Sequence, residues 1–275
     1  MGKLSVGGSI IDASVTAHAS PITLRVEGLK KFFPVRRGFF QRITGLIKAV
    51  DGISLEIQEG KTLGLVGESG CGKSTVARLV LRLLEPDAGR LMYYGRDITH
   101  LSHSDMNALR REMQIVFQDP YGSLNPRMTI GQTIEEGLRK MGLSRSGRRE
   151  RRDELLEMVG LSASSAGRYP HEFSGGQRQR VGIARALSVE PSLVICDEPV
   201  SALDVSIQAQ IINLLRDLQD RLGLSYLFIS HDLNVVGYLS DRVAVMYLGQ
   251  IMEYADTEAL FEHPLHPYSL ALLSA

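Results

Sequence analysis

The chain has 275 residues, of which 44% are hydrophobic and 23% charged, ordinary proportions for a globular protein that can hold one large α/β domain or a domain with a subdomain. Lysine plus arginine and aspartate plus glutamate number 31 each, a formal net charge of zero, which removes the electrostatic case for nucleic acid as the main partner. The two cysteines, Cys71 and Cys196, fall in a glycine loop and an apolar strand, which argues against a disulfide framework and fits a reducing compartment.

Residues 1–20, rich in Gly, Ser, Ala and Thr, lack the basic region, apolar core and cleavage site of a signal peptide and read as a mobile tail. Residues 22–26 and 53–57 alternate apolar and polar side chains, as half-buried strands do. The basic and aromatic stretch between them, 30–48, is too irregular to assign. An apolar run of strand length, 61–66, then meets Gly67-Glu68-Ser69-Gly70-Cys71-Gly72-Lys73-Ser74-Thr75, which fits G-x-x-x-x-G-K-[ST]; residues 76–84 follow with apolar side chains at helical spacing. Strand, glycine loop and helix start make a phosphate cradle. The glycines let backbone N–H groups turn inward, Lys73 can reach the β- and γ-phosphates, and Ser74 can ligate Mg²⁺. A plain glycine-rich turn would have to place Lys and Ser at the two chemically required positions by chance. The chain is therefore expected to bind a nucleoside triphosphate.

Farther on, residues 89–95 read as a strand ending in a turn, and 114–117 as a short buried strand. From about 126 to 160 the pattern is helical. Arg145, Arg148, Arg149, Arg151 and Arg152 crowd there beside Asp153 and Glu154, which reads as a solvated helix face paired to its own carboxylates, with an anionic surface contact as the alternative. Two buried-type strands, 193–196 and 226–229, are separated by a long helix over about 204–222. Parallel strands joined by helices make the chain α/β, with a mainly helical insert at about 119–172. No apolar segment approaches the roughly 18–20 residues that span a bilayer.

A phosphate loop alone is shared by kinases, GTPases, helicases and transport ATPases, so the other motifs decide. The strand at 193–196 ends in Asp197 and Glu198. It delivers Asp197 beside the phosphate loop, where it can organise a Mg²⁺ shell, and sets Glu198 one residue farther out to accept a hydrogen bond from the attacking water. Phe173-Ser174-Gly175-Gly176-Gln177 precedes a helix carrying Arg178 and Arg180. A serine and two glycines at a helix start form a second anion site, although S-G-G-Q alone could be only a helix cap. Two anion sites on one chain suggest a composite site shared head-to-tail between two protomers.

These residues resemble the ATP-binding subunit of an ATP-binding-cassette (ABC) transporter. The phosphate loop, the signature (here F-S-G-G-Q, commonly L-S-G-G-Q) and the carboxylate strand follow in that family's order. So do Gln118 after a short strand, Ser201-Ala202-Leu203-Asp204 after the carboxylates, and His231 after the next strand. The resemblance covers about 22–275 and implies a P-loop NTPase ABC-type nucleotide-binding domain with a helical subdomain and an antiparallel β subdomain. It implies that ATP is held by Gly67 through Thr75 of one chain and by Ser174, Gly175, Gly176 and Gln177 of its partner, with Asp204 crossing the dimer interface. Mg²⁺ falls to Ser74, Gln118 and Asp197, and catalysis to Glu198, His231 and Gln118. Phe33 is the ring expected to stack on adenine, with Phe32 as the alternative; the family usually has tyrosine there.

The runs at 118–126 and 198–206, and His263-Pro264-Leu265-His266-Pro267-Tyr268, are similar to the subfamily serving dipeptide and oligopeptide importers, and 30–35 resembles its second ATPase. The implied protein is a peripheral subunit at the cytoplasmic face of the cell membrane. It hydrolyses ATP to energise peptide import through two integral membrane permease subunits, pairs with a second ABC ATPase (a paralogue or itself), and is served by an extracytoplasmic substrate-binding protein. Nickel chelate, glutathione and sugar are alternative cargoes. A soluble ABC ATPase acting on DNA or ribosomes is a second class, and a kinase, for which no acceptor site is evident, a third. The expected organisation is a tail at 1–20, the ATPase domain at 21–260, and at 261–275 the start of an oligopeptide-transporter-type extension, cut short of the longer segment, sometimes with clustered cysteines, that members commonly carry.

Overall fold

A computed structural model describes residues 21–37, 42–119 and 121–274; the stretch read as a tail, residues 38–41 of the basic stretch, Pro120 and Ala275 lie outside the described residues. The first elements are β1 (Ile22–Arg37), β2 (Arg42–Gln58), β3 (Thr62–Val66), α1 (Lys73–Val80), β4 (Ala88–Tyr93), β5 (Arg96–Asp97), α2 (His103–Leu109) and β6 (Met113–Val116). A helical region follows with α3 (Ile130–Arg139), α4 (Arg145–Met158) and α5 (Gly175–Leu187). The chain then alternates through β7 (Leu193–Asp197), α6 (Val205–Leu222), β8 (Ser225–Ser230) and α7 (Leu233–Leu239). It ends in β9 (Arg242–Tyr247), β10 (Gln250–Asp256), α8 (Thr257–Glu262) and α9 (Pro267–Leu273).

Two sheets form among the described residues: an antiparallel one in the order β2-β1-β4-β5, and one in the order β10-β9-β3-β8-β7-β6. In the second sheet β9, β3, β8, β7 and β6 are parallel neighbours, and β10 adds antiparallel. Its inner strands are buried on both faces, so they read as continuous apolar runs. Alternate residues feed different cores. Leu193, Ile195, Leu227 and Ile229 pack with α1 and the antiparallel sheet; Val194, Cys196, Tyr226 and Phe228 pack with the helices on the other side.

Of the unassigned stretch, residues 30–37 lie on β1 and 42–48 on β2, which pair antiparallel from Ile22 against Gln58 out to Arg37 against Arg42. Register shifts at Val26/Leu29, Leu29/Lys30, Lys31/Phe32 and Val35/Arg36 interrupt the pairing, and each bulge breaks the period of two by which a strand is recognised. Helix α1 stops at Val80, short of the apolar spacing that runs to residue 84. There Leu83 and Leu84 both donate to the Arg78 carbonyl, and Arg82 turns to φ 51°.

Two of the five arginines of α4 pair with carboxylates, while Arg148 Nη1 donates to the Leu143 carbonyl at 2.8 Å. Arg151 Nη1 lies 2.8 Å from Glu154 Oε2, and Arg152 bridges Asp153 at 2.7 Å and Glu135 of α3 at 2.8 Å. The last contact clamps α4 to α3. Among the described residues no helix is long and apolar enough to cross a membrane.

Candidate active site

Parallel strands align their carboxyl ends, so whatever follows β3, β8, β7 and β6 gathers at one edge of the sheet. Those four neighbours are followed by the glycine loop, His231, Asp197-Glu198 and Gln118. Four motifs spread over more than half the chain thereby reach a single place.

The loop's path requires glycine at two points. At Gly67, φ is 149° and a Cβ would meet the Met246 carbonyl oxygen at 2.1 Å. At Gly72, the N-cap of α1, φ is 118° and a Cβ would meet the Ala49 carbonyl oxygen at 2.1 Å. The last hairpin holds the loop through Gly249, whose N–H donates to Cys71 O at 2.9 Å, and Gly249 is itself tied to β2, its carbonyl accepting from Asp51 N at 2.8 Å.

Lys73 is 4% exposed, and its ammonium donates to Gly67 O at 2.7 Å and Glu68 O at 2.9 Å. The Glu198 carboxylate stands 3.9 Å from it. Ser74 Oγ donates to Asp197 Oδ1 at 2.9 Å. Burial raises the Asp197 carboxyl above the ordinary carboxylate range; the Ser74 hydrogen bond opposes the rise and the neighbouring Glu198 charge adds to it. Such a group gains by meeting a cation.

Glu198 closes the constellation. Its backbone lies at φ 49°, a left-handed conformation costing roughly 1–2 kcal/mol for a residue with a Cβ, and its N–H is tied to Ile229 O at 3.0 Å. The carboxylate Oε2 accepts from Gln118 Nε2 at 3.1 Å and from His231 Nδ1 at 3.3 Å. A glutamate forced into a strained turn, and met by an amide and an imidazole from two other strand ends, is placed for chemistry.

A cleft of about 540 Å³ lies over the loop. Ser69 through Thr75, Gln118 and Glu198 line it, with Leu46, Ile47, Lys48 and Ala49 of β2 and the turn Leu248-Gly249 on the other side. Gly67 is buried beneath the loop and Glu68 is exposed beside it. Asp197 lies behind Ser74, and His231 reaches the cleft through Glu198.

Phe33 is not among the lining residues. It is the cross-strand partner of Ile47, with Lys31 Nζ 5.8 Å from its ring centroid, while Phe32 lies opposite Lys48. The apolar wall of the cleft is supplied by Leu46 and Ile47, 60% and 58% exposed. Sequence reasoning missed both because they lie in the unassigned stretch; two adjacent exposed aliphatics in a basic run were the available signal. It also missed Leu248 and Gly249, whose consecutive positive φ values of 43° and 85° make the β9–β10 turn.

Ser174, Gly175, Gly176 and Gln177 lie outside this cleft. Ser174 Oγ accepts the Gln177 N–H at 3.3 Å and Gln177 Oε1 accepts the Ser174 N–H at 3.0 Å, a capping box that starts α5. A Cβ on Gly176 would meet Ile207 at 2.4 Å, so glycine lets α6 approach. Asp204 occupies the N-cap position of α6 without capping it, its carboxylate exposed beside Val205, which is 81% exposed.

No cluster of three or more His, Cys, Asp or Glu that could hold a metal occurs among the described residues. A hard cation shared with phosphates needs only one or two protein oxygens and several waters, and the paired Ser74 hydroxyl and Asp197 carboxylate suit that donor set.

A sequence profile described as ABC transporter matches residues 50–201. The chain is 54% identical over 263 residues to the oligopeptide transport ATP-binding protein AppF of Bacillus subtilis (strain 168), covering 95% of this chain and 80% of that one. It is 52% identical over 255 residues to OppF of the same strain, also named an oligopeptide transport ATP-binding protein, covering 92% and 81%. Among solved structures, the ATP-binding cassette MJ0796, a dimer in a post-hydrolysis state bound to ADP and Pi, superposes with a TM-score of 0.76 at 28% identity, covering 85% of this chain and 98% of that one.

Proposed function

Because the chain belongs to the ABC transporter family, we propose that it is the ATP-hydrolysing subunit of an importer of di- or oligopeptides, peripheral to the cytoplasmic face of the cell membrane. The chain is an ABC ATPase. The observation that carries the catalytic assignment is the convergence of Gln118 and His231 on one Glu198 carboxylate beside Lys73 and the Ser74–Asp197 pair. The peptide cargo is supported by the names of AppF and OppF.

Phosphoryl transfer asks a protein for positioning and charge neutralisation more than covalent chemistry. The loop N–H groups and Lys73 receive the phosphates. Magnesium, when bound, would be held by Ser74 and Asp197, with Gln118 at its edge, and would offset phosphate charge. Glu198 accepts a hydrogen bond from the attacking water and turns it toward the γ-phosphate; His231 and Gln118 hold the carboxylate in that attitude. The base would rest against the Leu46–Ile47 wall, with Phe33 one strand behind it.

Ser174, Gly176 and Gln177 are assigned to a second ATPase chain's nucleotide in a head-to-tail pair, and exposed Asp204 to the interface between them. The solved dimer of a similar cassette supports the pairing.

Occupancy of the cleft has a path to the helical region. Gln118 begins the segment whose Ser123 carbonyl accepts from Arg185 Nη1 of α5 at 2.5 Å, and Arg178 of the same helix lies 5.2 Å from the Tyr121 ring centroid. Beside it a groove of about 730 Å³, lined by Arg110, Phe117, Glu136, Lys140, Arg185 and Val189, spans the sheet edge and the helices. We assign that groove, together with Tyr121 and Asn125 of the segment that begins at Gln118, to one of the two membrane permease subunits; an extracytoplasmic binding protein would deliver the peptide.

The test is capture of the Glu198→Gln chain, locked with ATP, from its native membrane fraction. Two integral membrane subunits, with a second ATPase or a second copy, support the importer, and the accompanying binding protein names the cargo. Recovery of ribosomes or DNA repair factors without membrane protein would overturn it.

A further inference from the structure

The last helix returns to the phosphate loop. Glu253 on β10 accepts the backbone N–H groups of Leu265 at 2.8 Å and His266 at 3.0 Å, bending the chain sharply after α8. His266 Nδ1 then accepts the Tyr268 N–H at 3.1 Å and starts α9, with Pro267 at the first position, where an N–H is not needed. The bend sends Tyr268 back across the sheet. Its ring meets Tyr247, centroids 4.5 Å apart at 41°, and its hydroxyl accepts the Glu68 N–H at 3.3 Å.

That N–H belongs to the Gly67–Glu68 peptide unit, and the carbonyl of the same unit, Gly67 O, accepts from Lys73 Nζ at 2.7 Å. One peptide of the phosphate loop is held at both ends, by the loop lysine and by a side chain 200 residues later. Its own residues offer little restraint, because Gly67 has no side chain and Glu68 is exposed. The lysine grip is also temporary: an ammonium has three protons, and phosphate oxygens arriving in the cleft compete for those given to Gly67 O and Glu68 O.

We propose that Tyr268 is a positioning residue for the phosphate loop, holding the Gly67–Glu68 peptide in place while Lys73 passes from the loop carbonyls to a bound phosphate. This rests on the reading of the loop as the ATP site. A loop kept in its binding shape loses less freedom when nucleotide arrives, so the hydroxyl contributes to nucleotide affinity and not to the chemical step. The segment 263–268, held by Glu253, thereby becomes part of the nucleotide site.

The test uses the full chain and its Tyr268→Phe variant, which keeps the ring against Tyr247 and removes the acceptor. Calorimetric titration with ADP and with ATP is expected to give a Kd raised about 3- to 10-fold, the worth of one hydrogen bond. The KM for ATP should rise in step with kcat unchanged, and the melting temperature of the nucleotide-free protein should fall by no more than about 4 °C. Glu253→Ala, which releases the bend, should raise Kd in the same direction. An unchanged Kd in Tyr268→Phe, with loss only in Tyr268→Leu, would assign the effect to ring packing and overturn the proposal; so would a fall in kcat at constant KM. Failure of the wild-type chain to bind nucleotide would remove the site assignment and the proposal with it.

Discussion

Ser74 Oγ donates to Asp197 Oδ1 across 2.9 Å, fastening the start of α1 to the end of β7, 123 residues apart in sequence. The contact pairs a hydroxyl with a carboxyl that burial has already pushed above the ordinary carboxylate range. The site thus keeps an acid whose ionised form is stabilised only in part until a cation joins it.

A pH signature follows. Because the folded-state pKa of Asp197 lies above the unfolded one, folding opposes its ionisation. That penalty is fully present above the folded value and is relieved as pH falls through it. Asp197→Asn, similar in shape and uncharged, is expected to raise the melting temperature of the nucleotide-free protein at neutral pH while abolishing hydrolysis. The gain should shrink as pH falls into the carboxylate range. Thermal melts across pH check this; a variant less stable than wild type at neutral pH would mean that the charge contributes to the fold.

Lys73→Ala acts on a different step. It removes the cation proposed to receive the phosphates, and charge-assisted contacts of this kind are worth about 1.5–3 kcal/mol each. ATP affinity measured by titration is expected to fall about 10- to 100-fold. Wild-type affinity in this variant would contradict the cradle.

Gly72→Ala tests the shape of the loop without touching its chemistry. The added Cβ would sit 2.1 Å from Ala49 O at a φ of 118°. Strain and overpacking together are expected to cost about 2–5 kcal/mol, read as a lower denaturation midpoint and lost nucleotide binding. A variant as stable as wild type would mean that the loop is free to move away from β2.

The strands that carry the candidate site were legible in sequence because both of their faces are buried: residues 193–196 and 226–229 are unbroken apolar runs and form β7 and β8. The phosphate loop and the residues converging on Glu198 were legible for a related reason, since each follows such a run directly. The β1–β2 hairpin was not. Its bulges destroy the alternation, and its far half exposes Leu46 and Ile47 where a strand pattern would bury one of them. With that hairpin unread, the apolar wall of the cleft could only be placed by analogy, on Phe33, and the structure sets Ile47 there. The S-G-G-Q run was open to two readings, and a single chain displays the capping box, which is compatible with a nucleotide held from a second chain. The contact between Tyr268 and Glu68 depends on a bend set by Glu253, a relation that no local pattern encodes.

The most direct measurement of the catalytic assignment is single-turnover ATP hydrolysis by the Glu198→Gln protein, with ATP affinity measured on the same preparation. Loss of the carboxylate assigned to orient water should slow hydrolysis about 10²- to 10⁴-fold and leave ATP binding near wild type, because Lys73 and the loop are untouched. Hydrolysis at the wild-type rate would contradict the account at its centre, since the contacts from Gln118 and His231 would then converge on a carboxylate that the reaction does not use.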